Sequence, residues 1–112
     1  MACDPRFTAD AEADLLALGS MPKRAAAAWI RGFARGQRSE RPRPAWLGDA
    51  ALRTVQMGGG MVLLYRPLRD DELAYLGLDE PCLLVVRVLP QRVLDDHRED
   101  LRRRFESADD DL

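Results

Sequence analysis

Three arginines stand inside otherwise apolar or half-apolar runs: Arg53 in LRTVQ, Arg66 at the end of MVLLYR, and Arg87 within CLLVVRVL. A cation in such a setting either reaches an anion or pairs with a carboxylate, because a lone buried charge is very costly. The one histidine, His97, has a side chain whose ordinary pKa lies near neutrality, which suits proton transfer. It equally suits a packing role on a helix. Arg41 and Arg43 alternate with Pro42 and Pro44, three residues before Trp46. Guanidinium groups on phosphates beside a ring that stacks on a base would make a nucleic-acid contact. The same tryptophan also fits as a plug at the edge of the domain. Ser20, Ser39 and Ser107 read as cap or loop residues with no visible link to His97. The adjacent acids Asp70, Asp71 and Glu72 read as a solvated turn. Cys3 and Cys82 lie far apart with no CxxC and no cluster with His97, so neither a disulfide framework nor a metal site is expected. No cofactor-binding signature appears: there is no P-loop, GxGxxG or HExxH.

The elements that would position these residues follow from pattern. Leu52–Pro67 holds two strand-prone arms around Gly58, Gly59 and Gly60, a run that permits a tight reversal through positive φ. Parity places Arg53 and Val55 on one side of the first arm, with Leu52, Thr54 and Gln56 on the other. Met61–Tyr65 is almost wholly apolar, as a central strand should be, and Cys82–Leu89 makes a third strand. Arg6–Thr8 is a short first strand or an extended lead-in. Thr8 or Asp10 is placed to cap a helix in which Ala11, Leu15 and Leu18 share a face. A second helix over about Met21–Arg35, with Ser20 as its cap and Pro22 in its first turn, aligns Ala26, Trp29, Ile30 and Phe33. The very short link predicts an antiparallel helical hairpin. Gln37–Asp49 reads as an extended linker and Arg69–Pro81 as an acidic loop. From Gln91 to about Phe105 a last helix carries Leu94, His97, Leu101 and Phe105 on one stripe.

The predicted fold class is α+β: an N-terminal helical hairpin packed on a small antiparallel sheet, with a C-terminal helix. Residues 1–105 form one domain and residues 106–112 an acidic, disordered tail. Net charge is −2 over 112 residues, but the distribution is uneven. Ser20–Arg53 holds eight bases and two acids, whereas the last seven residues hold four acids and no base. That split points to an anionic partner, or to a tail folding back on the basic surface, or to a solvated helix face. Sixteen of the 17 bases are arginine, which also fits a GC-rich genome. No leader-like or membrane-spanning run appears, and a cytoplasmic setting with no membrane partner is expected.

The residues Phe7–Leu18, Trp29–Phe33, Val62–Leu68 and Leu83–Arg92, in this order of elements, resemble the RelE/ParE superfamily of toxins from bacterial toxin–antitoxin systems. The resemblance spans about Arg6–Arg104. It implies a cognate antitoxin protein as partner. In RelE-like members it implies a ribosome-dependent, metal-independent mRNA endoribonuclease, in which the RNA 2′-OH attacks and basic side chains stabilise the phosphate. Carried over by position, Arg53 matches a basic residue on the first hairpin strand. Arg92, or less well Gln91, matches an arginine after the last long strand, and His97 falls near the terminal tyrosine or histidine of the family. These three are the expected catalytic set, with Arg41, Arg43, Trp46, Arg66 and Arg87 as the expected RNA-binding set. Val55 and Val62 depart from the pattern, since they stand where the best-known RelE sequences have a lysine and an arginine. ParE-like members lack the nuclease set and inhibit DNA gyrase by protein contact. A non-toxic regulatory protein on the same fold is the third expectation.

Overall fold

A computed structural model describes residues 4–45 and 50–110; the side chains of residues 20, 21 and 101–110 are not described. The elements run β1 (Arg6–Phe7), α1 (Ala9–Leu16), α2 (Ser20–Ala34), β2 (Arg43–Pro44), β3 (Arg53–Gly58), β4 (Met61–Pro67), α3 (Asp70–Leu76), β5 (Leu83–Pro90) and α4 (Gln91–Asp110). The sheet order is β1-β5-β4-β3-β2. Strands β3, β4 and β5 pair antiparallel as the sequence predicts, and β2 adds antiparallel to β3. The two-residue β1 joins β5 in parallel, so the sheet is mixed. The α+β class, with its helical hairpin and C-terminal helix, stands as expected.

The β3–β4 reversal uses its glycines as the sequence suggests. Gly58 pairs with Met61, and the two loop residues, Gly59 and Gly60, have φ of 63° and 78°. A two-residue hairpin loop with both φ values positive matches the right-handed twist of its strands, and glycine adopts it without strain.

The sheet buries both faces. Val55, Leu63, Tyr65, Leu83, Val85 and Val88 pack against Ala11 and Leu15 of α1 and Ile30 and Ala34 of α2. On the opposite face Val62 and Leu89 pack against Leu94 of α4. Full burial of each such aliphatic side chain is worth about 1.5–3 kcal/mol. A bulge in β5 makes the first face continuous: Tyr65 pairs with Val85 but Leu64 pairs with Arg87, leaving Val86 as the extra residue. Val85 and Val88 therefore both face the hairpin, and Arg87 does not enter that core. Thr8 secures the bulge and the helix together. Its hydroxyl donates to the Val86 carbonyl at 2.8 Å and accepts the Ala11 N–H at 3.1 Å, capping α1.

Several expectations are corrected. The cap of α2 is Gly19, at φ 82°, rather than Ser20. The expected loop after β4 contains α3: Asp70, Asp71 and Glu72 occupy its first turn, where the helix dipole favours acids, and Gly77 closes it in the left-handed region at φ 69°. Helix α4 runs from Gln91 to Asp110, so its bounds pass the expected domain end at residue 105. Cys82 is disulfide-bonded, against the expectation of no disulfide; Cys3, the only other cysteine in the sequence, lies outside the described residues. No helix among the described residues is long and apolar enough to cross a membrane.

Candidate functional site

At the end of the sheet where β3 begins and β4 ends, the C-terminal turn of α2 stands off the strands and leaves a cavity of about 520 Å³. Its walls are apolar: Phe33 and Ala34 from α2, Pro42 from the linker, Pro67 from β4 and Leu83 from β5. Two polar side chains line it, Arg53 and Tyr65. They are direct cross-strand partners in the β3–β4 register, which puts them on the same face.

Both are held in place. Arg53 Nη1 donates to the carbonyls of Ala50 at 2.7 Å and Leu52 at 3.1 Å, so the turn before β3 anchors the guanidinium. Tyr65 is only 6% exposed and meets Phe33 edge-on, with ring centroids 5.2 Å apart. Phe33 in turn stacks on Trp29 at 5.5 Å, and the Arg38 guanidinium lies 4.7 Å above the Trp29 ring. Burial pushes the Tyr65 phenol above its usual pKa, with the Arg53 charge acting in the opposite sense. The phenol is therefore a neutral O–H donor across the ordinary pH range. A fixed cation and a neutral donor in apolar walls are the groups with which an anion could be held. Among the described residues the lining holds no carboxylate, histidine or thiol to move a proton.

The predicted catalytic set is not brought together. Arg53 lies on the hairpin face of the sheet, beside Phe33 and Tyr65. Arg92 and His97 are exposed on α4, which packs through Leu94 on the opposite face. The expected packing stripe of α4 therefore includes Leu94 but not His97; the side chains of Leu101 and Phe105 fall outside the described ones. The two positions where the family pattern carries bases are core residues, Val55 at 2% and Val62 at 0% exposure.

Two of the expected RNA-binding arginines are engaged by carboxylates. Arg66 grips Glu72 of α3 through both nitrogens, at 2.6 and 2.8 Å. Arg87 grips Asp14 of α1 at 2.8 and 2.9 Å. For Arg87 the acid comes from α1, which packs against β5, and for Arg66 from the first turn of α3, which begins just after β4 ends. Arg41 and Arg43 are exposed, and Trp46 lies outside the described residues. On α2, which has no acid among its residues, Lys23, Arg24 and Arg31 line a shallow hollow of about 340 Å³.

Sequence reasoning missed Tyr65 and Asp14. A tyrosine in an aliphatic central strand, set opposite an arginine across a two-residue reversal, is the signal that was present for Tyr65. Asp14, one residue from the buried Leu15, is the signal that a partner crosses over α1. No group of three or more His, Cys, Asp or Glu placed to hold a metal occurs among the described residues. No family model, no curated protein and no solved structure matches the chain.

Proposed function

We propose that this chain is a toxin-like module of a toxin–antitoxin pair, on the RelE/ParE plan, that acts by binding a protein rather than by cutting RNA. The observation that carries this choice is the division of the expected catalytic set between two faces of one sheet. Arg53 serves the hairpin face, while Arg92 and His97 ride on the helix that covers the other. Acid/base transfer requires the groups within hydrogen-bond reach of the reacting atoms, about 2.6–3.2 Å or one water away. A sheet lies between these. The order of elements, with the hairpin ahead of three antiparallel strands, supports the superfamily reading. The ribonuclease reading has one observation in its favour, the exposed basic surface of Lys23, Arg24, Arg31, Arg41 and Arg43.

Controlled expression in a bacterium separates the readings. Growth arrest with intact cellular mRNA and a loss of DNA supercoiling is the expected result, with rescue by a protein encoded beside this one. Arrest accompanied by cleavage of ribosome-bound mRNA would restore the nuclease reading. Unimpaired growth with abundant folded protein would leave the non-toxic regulatory role.

A further inference from the structure

We propose that the cavity between Arg53 and Tyr65 binds a small free carboxylic acid with an aromatic or branched apolar body. The site stands apart from the toxin reading and needs no part of it.

At about 520 Å³ the cavity falls within the usual ~300–1,000 Å³ range of small-molecule sites, which are mostly apolar with a few placed polar groups. Charge comes next. Arg53 is the one charged residue among those lining it, and its Nη1 bonds to two backbone carbonyls orient the guanidinium fork. Arginine's planar fork matches a carboxylate, and donation from an ionised group shortens and strengthens the hydrogen bond. Tyr65 supplies the complementary donor. Its ring is buried and set edge-on against Phe33. The residue lines the cavity, where a ligand oxygen can take the place of water as acceptor for its hydroxyl. One guanidinium and one phenol suffice for a monoanion. A phosphate dianion would leave charge unmatched among apolar walls, which makes a carboxylate the better fit. The other side chains of the lining, chiefly Phe33, Pro42, Pro67 and Leu83, are apolar, which favours a ligand with an apolar body.

The orientation follows. The carboxylate accepts from Arg53 and from the Tyr65 hydroxyl, and the apolar body lies along Phe33 and Pro67. No covalent step is involved.

Phenylacetate and indole-3-acetate are suitable probes, with the two corresponding amides as neutral isosteres. Titration of the full-length protein, followed by amide chemical shifts and by calorimetry, should give saturable binding with Kd below about 1 mM. The amides should bind at least about tenfold more weakly, because they lose the charge-assisted pair. Tyr65→Phe keeps the ring packing and should weaken the acid by roughly fivefold or more. Arg53→Gln should weaken it further. His97→Gln, on the far face of the sheet, should leave affinity unchanged. The proposal is overturned by acid and amide binding alike, by shifts that map to α4 instead of β3 and β4, or by wild-type affinity in a folded Tyr65→Phe protein. Absence of saturation for both acids also overturns it. So does a peptide ending in phenylalanine that binds about tenfold tighter than either free acid, since that would make the cavity a peptide-docking site.

Discussion

Asp14 does more for this fold than either sequence pattern or charge count suggests. Its carboxylate accepts both Arg87 nitrogens and also the backbone N–H of Val88 at 2.9 Å. That N–H lies on β5 beyond the reach of the two-residue β1, so α1 closes an edge that the sheet leaves open. The pair is partly solvated on the arginine side, at 39% side-chain exposure, against 14% for Asp14. The two halves are therefore unequal. Arg87→Ala removes a half-screened ion pair, and its cost should be about 0.5–1 kcal/mol. Asp14→Ala also leaves the Val88 N–H and the Arg87 guanidinium without their acceptor, and should cost about 2 kcal/mol. Urea unfolding of the two variants measures the difference. Equal losses would show that the backbone contact contributes nothing.

At the scale of elements, α3 makes the clearest prediction. Glu72 accepts both Arg66 nitrogens and the Arg69 backbone N–H at 2.8 Å, which holds the helix start onto the end of β4. The Arg66 hydrogen bonds, then the Arg69 N–H, bring the Glu72 carboxyl down from an ordinary 4.5 to about 2. A depressed acid stabilises the fold above its unfolded pKa and loses that contribution as pH falls through the folded one. Stability from this source is thus complete above about pH 4.5 and drains away towards pH 2. Urea midpoints at pH 5 and pH 3 should fall more in the wild type than in Glu72→Gln, whose side chain does not titrate. The same helix shows why part of the fold was illegible. The strands could be read because period-two apolar runs report burial, and the β3–β4 turn because its glycines demand positive φ. In α3 none of the residues is fully buried and Tyr75 is 90% exposed, so no apolar face marked it. Only its end signals were present, the acids of its first turn and Gly77. The candidate cavity was half legible: Arg53 stood out as a charge in a strand, whereas Tyr65 passed as core because its ring is core and only its hydroxyl is not. The separation of His97 from Arg53 depends on which sheet face α4 covers, and helix periodicity alone carries no information about that.

At the scale of the whole molecule, the disulfide at Cys82 puts a covalent tie at the head of β5. Cys82 is fully buried at the head of β5, the strand that pairs with both β1 and β4. Its backbone carbonyl takes the Leu68 N–H at 2.8 Å, which closes the α3 excursion back onto the sheet. A covalent link there limits the unfolded chain and is typically worth about 2–4 kcal/mol. In a domain of this size each kcal/mol moves Tm by roughly 4–8 °C. Thermal unfolding with and without dithiothreitol should therefore differ by roughly 10 °C or more, with the reduced protein the less stable. The comparison also bears on where the chain works. Disulfides persist in oxidising compartments and are rare in a reducing cytoplasm, which the sequence alone suggested as the setting. A large drop on reduction would mean that a cytoplasmic copy operates on the weaker form. An unchanged Tm, together with titration of two reactive thiols in the denatured, unreduced protein, would show that the bridge does not form and that the sheet stands on its packing alone.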